Sequence, residues 1–299
     1  MRPGRSWKIG KSPMLLPGSF KENFMHYNQT YNKAPARLAV LDIETLAPAQ
    51  LNGTFPPWPL HRPLVASVLM ADQAEYGQWQ FAIESVEFCD ERAAVIRIDE
   101  LLDCRRTITF NGKGFDLSVL SMAVFRASAY ECRNLTDAWA SPRFGGSHID
   151  VAELITNFGA APRASLEMLC EAAQIPSKQN GHGGDVAEML RDHGMEAVKR
   201  YCEEDVGSTL VLFAMVQALR ANDPAYAASL IADFANWVGD AGLDHLDEFQ
   251  KLSGNALLER VRLLHRVGEG IRALDDRVTN QHFEEQARSA PKSRQSTVG

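Results

Sequence analysis

Leu38-Ala39-Val40-Leu41-Asp42-Ile43-Glu44-Thr45 is a run of mostly branched apolar residues, broken near its end by two acids one residue apart, and it closes shortly before Pro48 opens a loop. Residues two apart on a strand share a face, so Asp42 and Glu44 point the same way. Two carboxylates at the end of an otherwise buried strand are costly to desolvate unless positive charge sits between them. A divalent metal ion is the natural candidate. Taken alone, an Asp-x-Glu pair reads first as an edge strand running out into a solvated acidic turn; two further acidic motifs downstream change that weighting.

The second motif is Asn111-Gly112-Lys113-Gly114-Phe115-Asp116, which follows an apolar run at Thr107 to Phe110. A strand end and a Gly-x-Gly turn deliver Asp116 to the start of a helix, where the helix dipole favours negative charge. By itself Asp116 reads as a first-turn acid that stabilises this helix. The third motif is Tyr201-Cys202-Glu203-Glu204-Asp205. Positions four apart on a helix stack on one face, so the Tyr201 phenol and the Asp205 carboxylate project together. Glu203 falls toward the opposite face and Glu204 on the flank, and both read as solvated surface charges.

The periodicity places these motifs on an α/β scaffold. Strands are expected at 36–44, 64–70 and 78–83, separated by the proline-rich Phe55-Pro56-Pro57-Trp58-Pro59 and a turn at Tyr76-Gly77. Helical spacing follows over 91–104, then the strand at 107–110 and a helix over 115–127. Alternating helices and strands after a meander point to a mixed sheet covered on both faces. Asp150 precedes a helix over 151–158 and reads as its N-cap; His148 reads as structural. Further helices are expected over 165–174, 185–192 and 195–219. The polar loop Gln179-Asn180-Gly181-His182-Gly183-Gly184 between two of these reads as a gate or a plain connection. Asp223-Pro224 starts another helical stretch.

The 299 residues suffice for a full core. No apolar run reaches the roughly 18 to 20 residues that a membrane helix needs, so a cytoplasmic protein without membrane attachment is expected. The five cysteines are scattered, odd in number and without a CxxC pair, which points to reduced thiols and away from a structural zinc site. The net charge of −7 discriminates weakly, because an acidic metal site supplies negative charge while phosphate needs only a local basic stripe.

Together the three motifs resemble the DEDD superfamily of 3′–5′ exonucleases, the DnaQ-like branch of ribonuclease-H-like folds. The tyrosine in Tyr201-x-x-x-Asp205 is similar to the DEDDy branch; the alternative branch has a histidine five residues before the last aspartate, where this chain has Arg200. Thr109 to Asp116, His148-Ile149-Asp150 and Ala164-Ser165-Leu166-Glu167 look closest to bacterial exonucleases related to the proofreading domain of polymerase B. The resemblance spans about residues 36–218, and three short motifs in order on the expected elements make a joint signal.

The resemblance implies an α/β fold, a ribonuclease-H-like mixed sheet with flanking helices, plus a C-terminal helical extension. Taken with composition and periodicity, which mark off the rest, it divides the chain into an irregular arm (1–34), the exonuclease domain (35–220), the extension (221–280) and a disordered tail (281–299). It implies hydrolysis with two Mg²⁺ or Mn²⁺ ions held by Asp42, Glu44, Asp116 and Asp205, and Tyr201 orienting the attacking water. By the same likeness Glu44 meets the terminal 3′-hydroxyl, Thr45 and Leu46 pack on the last nucleotide, and Asn111 and Phe115 line the strand's path; Thr45 and Phe115 equally suit ordinary packing. The implied partners are single-stranded 3′ ends, DNA ahead of RNA, and separate replication or repair proteins. A non-catalytic nucleic-acid-binding or partner-regulating module on the same fold is the competing expectation.

Overall fold

Alternation along the first strand divides the interior. In the computed structural model, which describes residues 36–48, 56–74, 77–177, 186–254, 259 and 263, β1 runs Arg37–Leu46. Its Leu38 and Val40 enter one apolar cluster, while Ala39, Leu41 and Ile43 enter another on the opposite face. Burial on both faces explains why the run reads as almost continuously apolar.

β2 (Arg62–Gln73) and β3 (Trp79–Glu87) complete an antiparallel meander with β1. β4 (Arg106–Thr109) and β5 (His148–Asp150) lie parallel on the other side of β1. The order is β3-β2-β1-β4-β5, a mixed five-stranded sheet. The acids sit at the carboxyl end of β1, where the pairing with β2 slips between Glu44 and Thr45. Such an irregularity re-aims side chains at a strand end.

One face is covered by α1 (Glu91–Leu102), α2 (Asp116–Ala127) and α3 (Arg133–Ala140). Their buried Val95, Ile98, Leu102, Leu117, Leu120 and Leu135 meet Ala39 and Leu41 of β1. Asp90 caps α1, its side chain accepting the amides of Arg92 and Ala93. The short α3 was not expected from the sequence.

The other face carries α4 (Val151–Ile155), α5 (Leu166–Ala173), α6 (Val186–Ala221) and α7 (Pro224–Ala241). α6 is two helices joined at Gly194, whose φ of 78° and ψ of −178° break the helical path. The expected pair of helices thus forms, end to end. α4 is shorter than expected because Asn157 and Phe158 turn left-handed, at φ 49° and 58°. The Thr156 hydroxyl donates back to the Ala152 carbonyl at this end of the helix.

Leu210 and Phe213 of α6 and Leu230, Phe234 and Val238 of α7 share one core with Leu38, Val40 and Leu69 of the sheet. A 3-10 segment, Asp244–Gly254, adds Leu246, Phe249 and Leu252 to it. Among the described residues no helix is long and apolar enough to cross a membrane, and all five cysteines are free thiols. The expected arm, the 179–184 loop, most of the helical stretch beyond 254 and the tail lie outside the described residues.

Candidate active site

Three carboxylates converge at the carboxyl end of β1. Asp42 and Glu44 come from the face that α6 covers, and Asp205 comes from α6 itself. Each offers an oxygen such that the three lie within 4.8 Å of one another. Asp42 is half-buried, while Glu44 and Asp205 are buried. Asp116 stands beside this group at the first turn of α2. Burial, with the charge of Asp42 and further charges from Asp150 and Asp205, holds the Asp116 carboxyl well above the usual carboxylate range. That repulsion is what a divalent cation would relieve, and carboxylate oxygens are the donors that Mg²⁺ and Mn²⁺ prefer. The four acids fit such a centre.

Asp116 reaches the site through a tight turn that the sequence builds from glycine and a remote acid. Asn111 adopts a left-handed φ of 60°, which asparagine tolerates better than most residues. A Cβ on Gly112 would meet the Thr109 hydroxyl at 2.3 Å, so only glycine fits there. The Asp150 carboxylate accepts the amides of Asn111 at 3.0 Å and Lys113 at 3.1 Å, and also caps α4 through the Glu153 amide at 3.3 Å. The N-cap reading of Asp150 holds, and the same side chain ties β5 to the turn that presents Asp116.

His148 is structural, as expected. Buried on β5, its Nε2 lies 2.8 Å from the Thr109 hydroxyl, and Thr109 Oγ1 in turn accepts the Gly112 amide at 3.2 Å. Burial, with the nearby Lys113 charge, pushes its pKa down to about 3. The Lys113 ammonium donates to the Ser141 carbonyl.

The remaining expected residues fall into separate groups. Asn111 lines a cavity of about 270 Å³ together with Asp42, Phe110, Thr156, Arg163 and Asp205. Thr45 and Phe115 meet through His61. The His61 Nε2 hydrogen goes to the Pro56 carbonyl at 3.1 Å, so in the neutral ring Nδ1 accepts the Thr45 hydroxyl at 2.7 Å. The imidazole stands edge-on to the Phe115 ring, centroids 4.8 Å apart. Leu46 ends β1 opposite Arg62 and is half-buried. Tyr201 is buried and lines a larger neighbouring cavity of about 470 Å³ with Arg200, Glu204 and His245, whereas Asp205, one turn on, faces the smaller one.

Reading the sequence missed His61 and Arg163. Each is a single residue in a loop, with no spacing to announce it. Glu203 departs from its reading as a solvated charge: it accepts the Ser85 hydroxyl at 2.6 Å and His245 Nε2 at 2.7 Å, and its side chain is 14% exposed. Burial opposes its charge, yet the hydrogen bonds from His245 and Ser85 hold its pKa below the ordinary value. Cys202 is also buried beside the acids, its Sγ 3.5 Å from Asp42 Oδ2. Burial and the charges of Asp42 and Glu44 push its thiol well up.

Residues 53–252 match the family of predicted 3′-5′ exonucleases related to the exonuclease domain of PolB. The chain belongs to this family. The match takes in Asn111, Asp116, Tyr201 and Asp205 but starts after Asp42 and Glu44. It also extends through α7 into the 3-10 segment. Among solved structures the chain is similar to the family B DNA polymerase of the hyperthermophilic archaeon Pyrobaculum calidifontis. The identity is 16% and the TM-score 0.40, over 68% of this chain and 29% of that one. It is similar also to E. coli exonuclease I in complex with a dT13 oligonucleotide, at 15% identity and a TM-score of 0.39, over 63% and 43% of the two chains. The chain thus spans less than half the length of either protein. No curated protein matches it.

Proposed function

We propose that this exonuclease removes nucleotides from the 3′ end of single-stranded DNA by metal-assisted hydrolysis, with Asp42, Glu44, Asp116 and Asp205 as ligands of two divalent cations, Mg²⁺ or Mn²⁺. The observation that carries the proposal is the convergence of Asp42, Glu44 and Asp205 within 4.8 Å, from a strand end and a helix far apart in sequence. Bound cations supply an acidified water and charge compensation at the leaving 3′ oxygen.

The chain's own residues do the rest. The Gly112 turn and Asp150 hold Asp116 against Asp42. Asn111 and Arg163 line the cavity that opens onto Asp42 and Asp205, and a guanidinium there suits a phosphate. Glu44 meets the terminal 3′-hydroxyl. Thr45 and Phe115, braced through His61, and Leu46 at the strand end form the bed for the last nucleotide. Tyr201 orients the water; a phenol with an ordinary pKa near 10 positions better than it deprotonates at neutral pH. Any replication or repair protein that supplies the 3′ end is a separate partner, and the cytoplasm is the expected compartment.

The test is an end-labelled single-stranded DNA and its RNA counterpart, incubated with the full chain and Mg²⁺ or Mn²⁺. Stepwise shortening from the 3′ end, faster on DNA and stopped by chelator, is expected. Asp42→Ala should cost roughly 10³-fold or more, since several kcal/mol of charge stabilisation are lost. Tyr201→Phe should cost roughly tenfold to a hundredfold. Binding without metal-dependent product, with wild type equal to Asp42→Ala, would instead identify a non-catalytic binding module.

A further inference from the structure

The face of the sheet beneath α6 carries Leu38, Val40, Leu69 and Ala71, and a polar row runs through it. Asp42 of β1 pairs with Ser67 of β2, and Ser67 pairs with Ser85 of β3. Ser67 is wholly buried. Ser85 donates its one hydroxyl hydrogen to Glu203 Oε1, so at 2.7 Å from Ser67 it accepts the Ser67 hydrogen. Glu203 Oε2 accepts from His245 Nε2, which the 3-10 segment after α7 delivers. Both carboxylate oxygens of Glu203 are thereby tied, one to the sheet edge and one to the C-terminal segment.

The helical wheel of α6 gives this a mechanical meaning. Val198, Cys202 and Val206 are buried along the side toward the sheet. Lys199 and Glu203 face β3, where Lys199 pairs with Glu87 and Glu203 with Ser85. Tyr201 and Asp205 occupy the opposite flank, Asp205 lining the cavity that holds Asp42 and Tyr201 the larger one beside it. Leu210 to Ala214 anchor the later turns of α6 in the shared core; at the turn Tyr201–Asp205 a two-point polar tie on one flank limits the remaining roll about the helix axis. A largely buried carboxylate with both oxygens satisfied is a costly device to keep on a surface that apolar residues would cover.

We propose that Glu203, clamped between Ser85 and His245, is a positioning residue that sets the roll of the turn Tyr201–Asp205 and so makes the C-terminal 3-10 segment part of the active site's geometry. The inference rests on the proposed roles of Tyr201 and Asp205.

The test uses the full chain and the variants His245→Ala, His245→Gln and Ser85→Ala, assayed for kcat and KM on single-stranded DNA and for the Kd of Mn²⁺ by electron paramagnetic resonance. Groups that orient metal ligands from outside the coordination sphere typically matter tenfold to a hundredfold. His245→Ala should lower kcat by about that factor with KM within twofold, raise the Mn²⁺ Kd about tenfold, and be largely rescued in His245→Gln, which keeps an N–H donor. A folded His245→Ala with kcat within twofold of wild type overturns the proposal, as does a loss confined to KM. Should His245→Ala fail to fold, Ser85→Ala decides: a drop in kcat of about fivefold, the worth of one hydrogen bond, supports the tie, and unchanged kcat overturns it. Wild-type protein that cleaves nothing refutes the exonuclease reading instead. The Mn²⁺ Kd values of the same variants then decide the positioning, unchanged Kd overturning it and absent Mn²⁺ binding in wild type overturning both.

Discussion

Asp150 accepts three backbone amides with one carboxylate, those of Asn111, Lys113 and Glu153. Removing it strands buried donors, each worth about 1–3 kcal/mol. Asp150→Ala should therefore lower stability by about 2–4 kcal/mol in urea denaturation, and cleavage should fall with it because the turn that carries Asp116 loosens. Asp150→Asn, which keeps one carbonyl acceptor, should lie between. Only the capping half of this role was legible in sequence, since an acid before a helix announces itself while amides 37 and 39 positions away do not. The same holds for Glu203, whose partners Ser85 and His245 lie 118 and 42 residues off. His148 carries the pH prediction at this scale. Its folded pKa of about 3 lies below the ordinary value of 6.5, so the unfolded chain binds the proton first and stability is full above pH 6.5. Stability should fall as the pH drops from there toward 3, by up to about 1.4 kcal/mol per pH unit. Between pH 7 and 5.5, above most carboxylate titration, His148→Gln should flatten that slope; an equal slope in the variant would assign it elsewhere.

Whole elements were easier to read than their ends. β1, β2, α1, α2 and the second half of α6 all form where apolar periodicity places them, within a few residues. The reason is that each buries a face long enough to give a repeating pattern. α3 escaped because its eight residues bury only Leu135 and Ala138 and no side chain caps its start. The break in α6 has a local cause that can be tested. Gly194 sits at φ 78° and ψ −178° with open space where a Cβ would go, so the constraint is backbone conformation alone. That region belongs essentially to glycine, and other residues incur about 1–3 kcal/mol there. Gly194→Ala should destabilise the protein by that amount, measured by urea denaturation, through a position that touches no other side chain. An unchanged midpoint would mean that the two halves of α6 can straighten into one helix at no cost.

At the scale of the molecule, the composition and motif order gave a mixed α/β fold and an acidic site, but the sequence drew the edge of the catalytic domain at 220. No periodicity tells whether a later amphipathic helix covers an earlier sheet or stands apart. In the structure Phe81 of β3 lies against Phe234 and Trp237 of α7, with ring centroids 5.4 and 5.8 Å apart, and Asp233 accepts the Trp79 amide at 2.9 Å. Beyond Ala221 the chain contributes Leu230, Ile231, Phe234, Val238, Leu246, Phe249 and Leu252 to the core. Burying such a side chain is worth about 1.5–3 kcal/mol, so their combined loss is comparable to or larger than the roughly 5–15 kcal/mol that holds a domain folded. A chain ended after Ala221 should therefore not fold cooperatively, although it retains all four acids and Tyr201. Circular dichroism melting and limited proteolysis of that fragment provide the measurement. A protease-resistant fragment with a sharp transition would show the sheet to be self-sufficient. The expected outcome, a molten or insoluble fragment without 3′-end cleavage, would make the C-terminal helices as much a part of the nuclease as the strand that carries Asp42 and Glu44.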